Sequence, residues 1–66
     1  MKDSSERLEM FIQEEYIDNP HMGAPDMAAA IRDMLTDLFH IGVKYDVNIP
    51  YIVIDAEEVF EEEKDE

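Results

Sequence analysis

The chain has 66 residues, 45% of them hydrophobic, no cysteine, and eighteen acidic against five basic residues, a formal net charge of −13. That length allows one small domain with a thin core, for which self-association is a common remedy, and the apolar fraction argues against global disorder. Lack of cysteine excludes disulfides and thiolate metal sites, and the charge excludes direct binding to nucleic acid or anionic lipid while favouring a basic partner.

No apolar run approaches the length of a membrane span, and the opening "MKDSSERLEM" has no apolar signal core, so no membrane contact and a cytoplasmic location are expected. The first element is read from "DSSERLEMFIQEEYIDNP". Asp3 and Glu6 have capping-box spacing, with Ser4 and Ser5 as competing caps. Leu8, Phe11, Ile12 and Tyr16 recur at helical intervals, widened by Met10 and Ile17. Asn19-Pro20 stops the run, because a residue before proline disfavours the α conformation. A helix over roughly residues 4–18 follows.

"NPHMGAP" reads as a loop, after which Pro25 can begin a second helix behind Ala24 or Gly23. Met27, Ile31, Met34, Leu38, Ile41 and Tyr45 then recur at alternating intervals of four and three, a heptad seam over about five turns. Ala30, Leu35 and Gly42 flank it, and Gly42 permits close approach of another element. The second helix is expected over about 25–45.

"YDVNIPYIVIDAEEVFEEEKDE" is compatible with a β-branched strand at "IPYIVID". Ile49, Ile52, Val53, Ala56, Val59 and Phe60 nevertheless keep helical spacing for longer than the alternation lasts. Asn48 is a favourable N-cap, and Pro50 falls in the first turn, where a missing N–H costs little. A third helix over about 49–62 is expected, followed by an acidic frayed tail at 63–66. The fold class is all-α: a single domain over 1–62 with two or three helices, for which the expected assembly is a homodimer that buries Met27, Ile31, Met34, Leu38, Phe39 and Ile41.

The run "DMLTDLFHIGVKYDVNIPYIVIDAEEVFEEE", Asp33 to Glu63, resembles small helical proteins of phages and mobile elements that carry a D-L-L-x-D-L-x-H pattern, then a loop, then a helix with alanine and an aromatic residue before glutamates. The matching positions are Asp33, Met34, Leu35, Asp37, Leu38 and His40, then Ala56, Phe60 and Glu61 to Glu63. Where those proteins usually have a loop glycine this chain has Asp46, and where they often have a second histidine it has Val59. The resemblance implies a helical hairpin and a phage-like origin, with no activity attached. A fainter resemblance is to the all-α nucleoside-triphosphate pyrophosphohydrolases, which hold Mg²⁺ between two acidic motifs. Glu14, Glu15 and Asp18 would supply the first, and Asp33 and Asp37 the second, spaced four apart instead of three.

Asp33, Asp37, His40 and Lys44 share one helical face, where two carboxylates and an imidazole could hold a divalent ion or simply form ordinary helix pairs in solvent. The solvated face is preferred, so no metal, no cofactor and no catalytic residue is assigned and the protein is not read as an enzyme. Glu6, Glu9, Glu14, Glu15 and Asp18 lie on the first helix, and Asp55, Glu57, Glu58, Glu61 and Glu62 on the third. Such rows can present spaced negative charge to a surface built for phosphates; they also serve solubility. The functional expectation is an acidic, phage-type interaction protein, acting in the host cytoplasm if phage-encoded. It would inhibit a basic nucleic-acid-binding host protein by occupying its binding surface. The alternatives are a Mg²⁺-dependent nucleotide pyrophosphohydrolase-like protein and a structural or regulatory adaptor.

Overall fold

A computed structural model describes residues 2–64, with side chains from Ser4 onward. Three α-helices and a π-helical turn account for most of these residues, with no strand among them: α1 (Lys2–Ile12), a π segment (Gln13–Ile17), α2 (Met27–Tyr45) and α3 (Ile49–Glu63). The all-α expectation holds, and the "IPYIVID" run is helical.

α1 begins at Lys2, so Asp3 lies inside the helix and is not its cap; the side-chain half of the Asp3–Glu6 capping box lies outside the described residues. The expected continuous helix over 4–18 is corrected at its C-terminal end. Residues 13–17 widen into a π turn, in which the Asp18 N–H donates to the Gln13 carbonyl at 2.9 Å, one residue farther back than in an α-helix.

The connection to α2 is a compact loop. Asn19 carbonyl accepts from the N–H groups of Met22 and Gly23, and the Ala24 N–H reaches back to the Tyr16 carbonyl at 2.8 Å. Gly23 supplies the left-handed backbone (φ 60°) that this reversal uses. The start of α2 differs from the sequence reading: Asp26, not Ala24 or Gly23, is the N-cap, and Pro25 stands before it. Asp26 is extended and its carboxylate accepts from the Ala29 N–H at 2.9 Å. Neither glycine nor alanine has a side-chain acceptor for that orphan donor, which explains why the helix begins two residues later.

α2 ends in a Schellman motif. The Val47 N–H donates to Gly42 O at 2.8 Å, the Asp46 N–H to Val43 O at 3.3 Å, and Asp46 is left-handed (φ 58°, ψ 46°). Two residues later α3 starts as expected, with Asn48 Oδ1 accepting from the Tyr51 N–H at 3.2 Å and Pro50 in the first turn. Gly42 is buried, and a Cβ there would press on the Ile49 side chain and sit 2.9 Å from the Val47 carbonyl oxygen. The expected close approach is therefore real, and its partner is the entry to α3. Glu63 is still helical and the Lys64 N–H donates to Phe60 O, so the frayed tail does not begin at 63; residues 65 and 66 lie outside the described residues.

The buried cluster is small. Ile12, Tyr16, Ala24 and Ala30 form it, with Ile17, Met27, Ala29 and Met34 packed against it. It joins the C-terminal end of α1, the π segment and the N-terminal half of α2. Within the single chain this cluster takes only part of the heptad seam. Met27 and Met34 contribute, whereas Ile31, Leu38, Phe39, Ile41 and Tyr45 are exposed in the single chain. The physical reason is that α1 covers the Ala30 side of α2, offset from the seam, because alanine lets the two helices come close. α3 touches α2 but not α1, and has no buried residue.

Candidate functional site

The acidic residues of α1 divide between two sides of the helix. Glu6, Glu9, Glu14 and Asp18 surround Met10 and Gln13 in one open depression. Their spacing brings successive turns to one side, and the π turn extends that side to Asp18. Gln13 Nε2 donates to Asp18 Oδ1 at 3.0 Å, which holds one wall. Met10 is 63% exposed, so an apolar side chain lies among these carboxylates. A lysine or arginine side chain has matching chemistry, an aliphatic stem ending in a charge. Glu15 does not join this group. It lies beside Phe11, Tyr16, Asn19, Met22 and Asp37 in a second, smaller depression.

On α3, Asp55, Glu57, Glu58, Glu61 and Glu62 are all exposed. Helical spacing puts them around the side opposite Ile52, Val53, Ala56, Val59 and Phe60. Glu61 pairs with Lys64 at 2.9 Å, and Arg32 with Asp33 at 3.1 Å; these are the two ion pairs among the described residues. Among the described residues no other carboxylate of α1 or α3 forms an ion pair.

The face Asp33, Asp37, His40 and Lys44 is taken apart by its neighbours. Asp33 is held by Arg32. Asp37 Oδ2 accepts a 2.7 Å hydrogen bond from the Tyr16 hydroxyl, across 21 positions of sequence. Lys44 Nζ sits 5.6 Å from the Tyr45 ring centroid, and His40 is exposed. The expected pairs Asp37–His40 and His40–Lys44 are not formed, because the tyrosine hydroxyl takes the carboxylate and the lysine lies over its neighbouring ring. Among the described residues no three His, Cys, Asp or Glu side chains come together as a metal-binding group. Of the carboxylate sets Glu14, Glu15, Asp18 and Asp33, Asp37, only Glu15 and Asp37 line a common depression.

The Tyr16–Asp37 link was not foreseen from the sequence. Tyr16 read as one apolar stripe residue and Asp37 as part of a polar face; only the packing of the π segment on α2 joins them. Tyr16 is 9% exposed, and its pKa is raised above the ordinary value of 10.0. The hydrogen bond to Asp37 is the main cause, followed by burial and then by the negative charges of Asp37, Asp33 and Glu15.

No helix among the described residues is long and apolar enough to cross a membrane. No family model, curated protein or solved structure matches this chain.

Proposed function

We propose that this protein is an acidic competitor that occupies a basic, nucleic-acid-binding surface of another protein. The observation that carries the reading is the depression on α1 and the π segment, where Glu6, Glu9, Glu14 and Asp18 ring the exposed Met10. Four carboxylates beside an exposed methionine suit the aliphatic stem and charged head of a lysine or arginine. α3 adds a second acidic surface of the same sign. On duplex DNA each strand carries one charge per about 3.4 Å of axis, whereas carboxylates one helical turn apart advance about 5.4 Å. The protein offers a sparser row than DNA, one that engages lysines and arginines singly.

The test is a competition. The protein is immobilised and exposed to bacterial lysate, and bound proteins are challenged with duplex DNA. The reading requires basic proteins that DNA displaces and that salt weakens steeply, because exposed ion pairs are screened. Captured proteins that resist both DNA and salt would instead point to an adaptor bound through its apolar side. Mg²⁺-dependent pyrophosphate release from a nucleotide, lost on Asp37→Asn, would replace the competitor reading with the hydrolase.

A further inference from the structure

The chain is too open for its size. Its Cα radius of gyration is 13.3 Å, whereas a compact chain of this length has about 10.8 Å. Its accessible surface is 5629 Å², whereas a compact monomer of this mass exposes about 4,300 Å². The surplus is on the order of 1,300 Å², and a stable protein–protein interface covers about 800 Å² on each partner.

The surplus includes an apolar face. On α2, Ile31, Leu38 and Ile41 are 42%, 37% and 50% exposed. On α3, Ile52, Val59 and Phe60 are 47%, 51% and 61% exposed. The first three belong to the heptad seam, at the spacing by which helices interlock side chains, and the second three form the apolar stripe of a helix that contacts nothing but α2. Asp55, Glu57, Glu58, Glu61 and Glu62 occupy the other side of that helix and border this face, and Glu63 ends the apolar stripe at the spacing of Ala56, Val59 and Phe60.

We propose that the apolar seam of α2 and the apolar stripe of α3 are covered by a second copy of this chain. A two-fold dimer needs a patch that matches itself, and an apolar face whose one carboxylate, Glu63, stands at its α3 end does. It also needs about the area that the open protomer has in surplus. A basic partner, by contrast, finds one carboxylate on this face, Glu63. The sequence placed the contact on α2 alone. The structure adds α3 to it and withdraws Met27 and Met34, which are packed against the chain's own core. The proposal does not rest on the competitor reading, and its salt dependence has the opposite sign. Two copies each of formal charge −13 repel, so screening at higher ionic strength tightens the dimer.

Sedimentation equilibrium of the full chain over a hundredfold concentration range, together with thermal unfolding over the same range, tests this. The expected result is a dimer at micromolar concentration, a melting temperature that rises with concentration, and tighter association in salt. Phe60→Asp and Ile52→Asp should each weaken the dimer at least tenfold. Val43→Asp, which adds the same charge at the 83%-exposed Val43 on another side of α2, should weaken it less than threefold. A parent chain that sediments as a monomer with a concentration-independent melting temperature overturns the proposal. So does a Phe60→Asp dimer no weaker than the Val43→Asp dimer. The parent measurement stands even where a variant fails to fold.

Discussion

Tyr16 and Asp37 show how much one side-chain pair does in so small a core. The tyrosine ring fills the cluster with Ile12 and Ala30, and its hydroxyl is tied to α2 at 2.7 Å. Asp37→Ala takes the acceptor from a part-buried hydroxyl and Tyr16→Phe takes the donor, and each should cost about 0.5–1.5 kcal/mol. Urea titration of both variants and the double variant measures the coupling; additive losses would mean the hydrogen bond contributes nothing of its own. The pH dependence follows from the raised Tyr16 pKa. A group whose pKa is higher folded than unfolded contributes stability that is complete below the unfolded value, here near 10.0, and lost as pH rises through the folded value. Alkaline titration followed by tyrosinate absorbance should therefore show Tyr16 ionising after an ordinary tyrosine. The parent should lose stability more steeply than Tyr16→Phe above pH about 10. Asp46 is the second decisive residue. Its left-handed backbone is where glycine is free of strain, and Asp46→Gly should add about 0.5–1 kcal/mol, read as a higher urea midpoint with an unchanged slope.

Helix starts and stops account for most of the element boundaries. Asp26 and Asn48 each satisfy a donor in the first turn of their helix with a side-chain oxygen. Asn48→Ala should cost about 1 kcal/mol, and because α3 has no buried side chain to hold it, helicity should be lost mainly from α3. The corner between α2 and α3 is equally dependent on Gly42. Gly42→Val would drive a side chain into Ile49 and the Val47 carbonyl oxygen, and opening the corner should cost about 1–3 kcal/mol. Amide exchange would show protection lost in residues 46–53 with the Tyr16 cluster intact; uniform loss across the chain would place the damage elsewhere. These caps and Gly42 could be read in the sequence. The π turn at Gln13–Ile17 could not, because an α-helical stripe and a π-widened one share the same apolar residues over so few turns.

Charge acts at the scale of the whole molecule, where many weak carboxylate contacts sum. One exposed Glu→Gln on α3 should change affinity for a basic partner by less than about 1 kcal/mol. Neutralising Glu57, Glu58, Glu61 and Glu62 together should weaken binding by orders of magnitude at low salt. The effect should fall mainly on association, because encounter follows the summed field. The α3 carboxylates are exposed and outside the Tyr16 cluster, so circular dichroism should be unchanged. Stopped-flow association with a DNA-displaceable partner checks this; an unchanged rate would leave the acidity of α3 to solubility alone.

Local chemistry decided a large part of this protein from the sequence. Helical spacing, Asn48, Pro50, the Asn19-Pro20 stop and the acidic rows of α1 and α3 depend on neighbours within one or two turns, so they can be read along the chain. The heptad seam was equally legible, but how little of it the chain itself buries was not. Whether an apolar stripe is buried depends on which element crosses it and where. Tertiary structure alone decided that α1 covers the Ala30 side of α2, that Tyr16 takes Asp37 away from His40, and that Glu15 is parted from Glu14 and Asp18. Each of these joins or separates groups by the packing of whole helices. Spacing along one helix carries no information about a neighbour 21 residues away.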